Sequence, residues 1–189
     1  MYPKLCLLLL FMKNTFFSFG LALLFVSKGY AQSAAATRIN WISIEEAYKQ
    51  TKTQPRKILV DVYTDWCGWC KKMDATTFSN PQVIAYINAN YYAVKLDAEG
   101  TKDIKIDKTY KAHTEKGRKA THDIAVALLQ GKLSYPSTVY LNEKFEAITV
   151  VPGYFGTKDI EPVLAYFTTN KYLTQKYDEF TSTFKAQWK

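Results

Sequence analysis

Two cysteines, Cys67 and Cys70, follow directly on the run Ile58-Leu59-Val60-Asp61-Val62-Tyr63-Thr64-Asp65-Trp66 and precede Lys71, Lys72 and Met73. Thiols at this spacing can close and open a disulfide. The run before them is apolar and β-branched and has the length of a strand, and Cys70 stands one helical turn beyond Cys67. A strand that ends at Cys67 and a helix that begins there put the first sulfur at a helix N-terminus. Unpaired backbone N–H groups and the helix dipole stabilise a thiolate at that point. The chemistry open to such a pair is thiol–disulfide exchange: a thiolate attacks a substrate disulfide, a mixed disulfide forms, and the second thiol resolves it. Cys67 is expected to be the exposed, attacking sulfur and Cys70 the resolving one. CxxC surroundings bring a thiol pKa from about 8.5 into roughly the 3.5 to 7.5 range, which leaves thiolate available at neutral pH. The alternative is an inert structural disulfide closing a very small loop, which fits poorly with a strand before it and a helix after it.

The elements that must position this pair are legible on both sides of it. Ser43 and Glu46 have capping-box spacing, and Ile44, Ala47 and Tyr48 recur at helical intervals, so the domain is expected to open on a helix. Lys57 to Tyr63 is the central strand. Ser79-Asn80-Pro81 supplies a cap and a first-turn proline for a helix over Gln82 to Ala89, which leads into a second strand, Tyr91 to Asp97. This is βαβ order. Asp123 to Gln130 reads as a helix stopped by Gly131, and Ser137 to Leu141 and Phe145 to Val151 form an antiparallel pair around a turn at Asn142-Glu143-Lys144. Gly153 leads to a helix from about Lys158 to Phe167. In the tail, Leu173, Tyr177, Phe180, Phe184 and Trp188 repeat every three or four residues and predict an amphipathic helix packed on the domain. Between Glu99 and Thr121 the pattern dissolves into charge and glycine, which marks an insertion without a readable structure.

The 189 residues, 15% of them aromatic, support one folded domain, not a disordered chain. The first 31 are set apart as a secretory signal: Leu5 to Phe11 and Phe16 to Val26 are apolar, lack acids, and precede the small-residue zone Gly29-Tyr30-Ala31. With a start at Met12, Lys13 would supply the basic region, and cleavage would follow Ala31. An uncleaved membrane anchor is the alternative, although Lys13 and Asn14 interrupt the apolar stretch. Residues 32–37 form a short polar linker, and 38–189 form the domain. Removing the leader takes away Lys4, Lys13 and Lys28 and no acid, so the formal charge falls from +8 to +5. It also removes Cys6, leaving only the two motif cysteines, which excludes a disulfide framework. A structural zinc site, which wants four ligands, is not expected with only His113 and His122 remaining, and both histidines are placed on the surface of the insertion. Seven basic residues face three acids between Lys102 and Lys119. With Tyr110 as its one aromatic, this run reads as a solvated insertion, and no nucleic-acid partner is expected.

At these residues the chain resembles the thioredoxin superfamily, over roughly Trp41 to Asn170. Asp61, six residues before Cys67, matches the buried acid on the central strand of thioredoxins, and Trp66 matches the aromatic before the nucleophile. Lys95 matches the lysine that pairs with that acid, and Pro136, in Ser134-Tyr135-Pro136-Ser137, matches the cis-proline. The resemblance implies a thioredoxin-like α/β fold with a central mixed sheet flanked by helices, an insertion before the proline and a C-terminal helix. It implies that Asp61 accepts the proton of Cys70 during resolution, with Lys95 in support. Trp66, Gly68, Trp69, Tyr135 and Pro136 would form the substrate face. A solvent-facing acid and a surface lysine are the plain alternatives at Asp61 and Lys95. Two departures stand out: Gly68-Trp69 replaces the glycine–proline of thioredoxins, and the segment from Asp97 to Pro136 is much longer than in the minimal family member. Similar WCxWCK sequences occur in exported thioredoxin-like bacterial proteins.

The expected function is therefore an exported thiol–disulfide oxidoreductase, periplasmic or otherwise extracytoplasmic, with no cofactor beyond its own dithiol. A reductase in that compartment needs electrons, so a membrane electron-transfer protein is the expected donor and disulfide-containing exported proteins the expected substrates. The rival is a thioredoxin-fold module that holds extended peptides, chaperone-like, without redox turnover.

Overall fold

The computed structural model describes residues 36–115 and 117–188, so the expected signal sequence lies outside the described residues. In chain order the elements are β1 (Trp41–Ile42), α1 (Ile44–Thr53), β2 (Lys57–Tyr63), α2 (Gly68–Thr76), α3 (Pro81–Asn90), β3 (Tyr91–Asp97), β4 (Ile104–Lys105), β5 (Thr109–Tyr110), β6 (His113–Glu115), β7 (Arg118–Ala120), α4 (Asp123–Leu128), β8 (Ser137–Leu141), β9 (Ala147–Pro152), α5 (Thr157–Thr168) and α6 (Tyr177–Thr183). β2 is the third of five strands in the order β1-β3-β2-β8-β9. It runs parallel to β3 and antiparallel to β8. Lys57 through Val62 are all buried, the signature of a strand covered on both faces.

Alternation along β2 divides the core into two layers. Leu59 packs with Met73 of α2, Ile84 and Ile87 of α3, and Leu164 of α5. Ile58, Val60 and Val62 pack on the opposite side with Ile44 and Ala47 of α1 and Ile124 and Ala125 of α4. Asp61 has the parity of Leu59 and so lies on the face covered by α2. The helix ends follow their local chemistry. Ser43 accepts the Glu46 N–H at 3.1 Å, and Asn80 accepts those of Gln82 and Val83 at the start of α3, where Pro81 is the first residue. α4 stops where Gln130 and Gly131 both take positive φ, 53° and 75°.

Four features differ from the sequence reading. β1 precedes the first helix. The insertion is ordered as two hairpins, β4–β5 and β6–β7, whose strands of two or three residues are too short to show alternation. Its ends are pinned together by the His122 N–H, which donates to the Ala98 carbonyl at 2.7 Å. His122 is not on the surface. It is fully buried and caps α4: its Nδ1 accepts the Ile124 N–H at 3.2 Å, and its Nε2 donates to the Lys102 carbonyl at 3.1 Å. His113 is exposed and pairs with Asp123 at 2.7 Å.

The tail is likewise not one helix. A 3-10 turn at Lys171–Leu173 is followed by the seven-residue α6 and then by extended chain. Thr181, Ser182 and Thr183 turn their hydroxyls back onto carbonyls of their own helix, which weakens its continuation. Beyond it the Glu161 carboxylate takes the backbone N–H groups of Gln187 and Trp188 at 2.8 and 2.9 Å, which holds the chain extended. Phe180, Phe184 and Trp188 still pack on the core, whereas Leu173 is exposed.

Candidate active site

Cys67 and Cys70 are joined in a disulfide at the start of α2. Cys67 is the N-cap residue, in extended conformation with φ −74° and ψ 103°, and its Sγ lies 3.1 Å from the Cys70 N–H. The β2 strand delivers it there through the turn Thr64-Asp65-Trp66, closed by the Cys67 N–H donating to the Thr64 carbonyl at 3.1 Å. The first sulfur thus sits where the unpaired N–H groups of a helix converge. In the disulfide Cys67 is only 5% exposed and Cys70 3%. The expected contrast between an open and a hidden cysteine is absent in this disulfide state.

Exposure belongs instead to the flanking indoles, Trp66 at 66% and Trp69 at 57%. The Trp66 ring meets Tyr135 edge-on at 5.8 Å, and its indole N–H donates to Glu99 at 2.9 Å. The Trp69 ring lies 5.4 Å from Tyr154, with the Lys72 ammonium 4.6 Å from the Trp69 ring centre. A Cβ on Gly68 would meet no atom within 4 Å, so the small residue leaves open space beside the sulfurs. The Tyr135–Pro136 peptide bond is cis, and both residues line a cleft of about 400 Å³ together with Trp69, Gly153 and Tyr154. Gly153 has φ +98°, a conformation open to glycine and strained for other residues.

Beneath this surface Asp61 is 2% exposed and stands directly opposite Lys95 in the β2–β3 register. The Lys95 ammonium reaches Asp61 Oδ2 at 2.6 Å and also pairs with Asp74 of α2. Rings of Trp41, Tyr63 and Phe78 surround it at 5.1 to 5.6 Å. Burial pushes the Asp61 carboxyl up to about 6; the Lys95 cation opposes the rise and Asp74 adds to it. Burial works against the Lys95 charge, but its two carboxylate partners outweigh that and hold it above the ordinary lysine range. Asp61 Oδ1 is buried with no hydrogen-bond partner among the described residues.

Sequence reasoning passed over Asp74, Tyr154, Glu99 and Lys119. Asp74 had a signal: four residues after Cys70 is one turn along the same helix face. Lys119 of β7 reaches Asp65 at 2.9 Å, so the insertion touches the residue two before Cys67. Neither it nor Tyr154 has a local signal, since both arrive from distant segments. Among the described residues no group of three or more His, Cys, Asp or Glu side chains is placed to hold a metal ion. Nor is any described helix long and apolar enough to cross a membrane.

A central mixed sheet between helices, with a CxxC disulfide at the N-terminus of the helix that follows the central strand, defines a thioredoxin fold. The chain belongs to the Thioredox_DsbH family, described as a protein of unknown function (DUF255), whose model matches residues 22–189. An uncharacterized protein of Caenorhabditis elegans, B0495.5, is 27% identical over 140 residues, covering 74% of this chain and 17% of the relative. The thiol:disulfide interchange protein DsbD of Klebsiella pneumoniae is 40% identical over 50 residues, covering 26% of this chain and 8% of its own. The chain therefore spans less than a fifth of the length of these relatives. A solved thioredoxin-fold protein from Helicobacter pylori matches with a TM-score of 0.51 at 18% identity, over 68% of this chain and 79% of that one.

Proposed function

We propose that this protein is an exported thiol–disulfide oxidoreductase that reduces or isomerises disulfides in extracytoplasmic proteins through Cys67 and Cys70. The observation that carries this reading is the placement of the disulfide: its first sulfur caps α2, and exposed indoles stand on either side of it. In the reduced protein the Cys67 thiolate attacks one sulfur of a substrate disulfide. That S–S bond breaks, the departing substrate thiolate takes up a proton, and a mixed disulfide forms on Cys67. Asp61, ionised at neutral pH, accepts the proton of Cys70, and the Cys70 thiolate attacks Cys67 Sγ. The Cys67–Cys70 bond forms and the second substrate thiolate leaves, so two electrons pass from the dithiol to the substrate.

Lys95 holds Asp61 in place and stabilises its charge, while Trp66, Gly68, Trp69, Tyr135 and Pro136 receive the substrate backbone and side chains. Returning the protein to the dithiol requires a thiol donor of electrons, for which a membrane electron-transfer protein is the partner of fitting chemistry. Export is supported by the acid-free apolar segments ahead of Gly29-Tyr30-Ala31. The direct test is reduction of insulin by dithiothreitol in the presence of the protein. Faster appearance of turbidity than with the Cys67→Ser, Cys70→Ser variant supports turnover. Equal rates would leave the dithiol without a catalytic role and favour a peptide-holding module.

A further inference from the structure

The two rims of the dithiol carry opposite charge. On the Trp66 side three acids stand against one cation: Lys119 lies 2.9 Å from Asp65 and 3.8 Å from Asp97, while Glu99 accepts the Trp66 indole N–H. On the Trp69 side the Lys72 ammonium lies over two rings, 4.6 Å from the centre of Trp69 and 5.3 Å from that of Tyr154. Neither Lys72 nor Lys71 makes an ion pair among the described residues. An ammonium has three N–H donors, and aromatic faces attract its charge without offering the lone pairs of a carboxylate. The same two rings wall the cleft of about 400 Å³ that Tyr135, Pro136 and Gly153 complete, a volume within the range of ligand clefts. Trp69 lies between Cys67 and Cys70 in the chain, which brings the cleft it walls close to the disulfide.

We propose that the preferred substrates are extended segments in which an aromatic or large aliphatic residue next to the reactive cystine fills the Trp69–Tyr154 cleft and a carboxylate beside it pairs with Lys72. The occupant is apolar because two ring faces bound the cleft. The residue beside it is acidic because the cation over those two rings has no carboxylate partner among the described residues, and the acids of the opposite rim turn away a segment laid in the reverse sense. Tyr154 and Lys72 then determine specificity, and the polarity of the groove fixes the direction in which substrate crosses the dithiol. This rests on the thiol–disulfide reading above.

The test uses the reduced full chain with four fluorogenic peptide disulfides, in which the residue beside the reactive cysteine is Phe or Ala and the next is Glu or Lys. Phe is expected to exceed Ala by about tenfold in the second-order rate constant of the single exchange, the protein being in excess. Glu is expected to exceed Lys by about threefold, with the difference vanishing in 1 M salt. Lys72→Glu should reverse the order of the Glu and Lys peptides, and Tyr154→Ala should abolish the preference for Phe. Equal rates for all four peptides with the unaltered protein would overturn the proposal, whatever the variants do. An unchanged Glu-over-Lys order in Lys72→Glu would overturn the role of that lysine. Rates no faster than those of the double-serine variant with every peptide would instead overturn the oxidoreductase reading itself.

Discussion

Lys95 and Asp61 face each other across the β2–β3 ladder and are joined by an ion pair of 2.6 Å, beneath the helix that carries both cysteines. The lysine also holds Asp74, whose side chain is 44% exposed, so a line of charge runs from the core to the surface along the side of α2. A carboxylate this deeply buried is held in its charged form at a cost to folding, and that cost has a pH signature.

Asp61 titrates near 6 in the folded protein, against about 3.9 in an unfolded chain. The folded state therefore binds the proton more tightly. Its stabilising contribution is complete below about pH 4 and is lost as the pH rises through about 6. Asp61→Asn, which is neutral throughout, is expected to be more stable than the parent at pH 8 by about 3 kcal/mol, with little difference at pH 4. Urea denaturation at the two pH values checks this. A gain of equal size at both would show that the carboxyl is not the source.

The two neighbours of Asp61 pull its titration in opposite directions. Asp74→Asn removes a negative charge and leaves Lys95 wholly to Asp61, so the midpoint of the resolution step should move to lower pH. Lys95→Met removes the cation, and the midpoint should move to higher pH. Stopped-flow fluorescence from Trp66 and Trp69 across the pH range follows the step, and shifts of the same sign in both variants would contradict this arrangement.

The parts of this fold that were legible in the sequence are those set by long apolar periods. β2 is read from an unbroken apolar run, and α3 from its cap and first-turn proline. The face of Asp61 was not legible, because residues on both sides of β2 are apolar and parity alone decides nothing until α2 is seen to cover Leu59. Strands of two or three residues hide the insertion's hairpins. The tail kept its helical period while Glu161, distant in sequence, drew its end into extended form. His122 looked like a surface histidine because it closes a charged segment, yet three backbone groups converge on it from Ala98, Lys102 and Ile124.

His122→Ala should consequently behave as a core and cap deletion together. A loss of about 2–4 kcal/mol is expected from the vacated volume and the lost cap of α4. His122→Asn, which keeps an acceptor for the Ile124 N–H, should recover part of it. Denaturation midpoints with unchanged slope would report this, and a loss below about 0.5 kcal/mol, the size of an ordinary surface substitution, would contradict the packing described for the insertion.

The central claim is that Cys67 attacks and Cys70 resolves, and Cys70→Ser separates the two steps. With the resolving sulfur gone, the mixed disulfide cannot be released from within the site. Non-reducing gels of cells expressing Cys70→Ser should show protein adducts that disappear with dithiothreitol and are absent when Cys67 is also replaced by Ser. Adducts that persist without Cys67, or full activity of Cys70→Ser with no adducts at all, would contradict the mechanism.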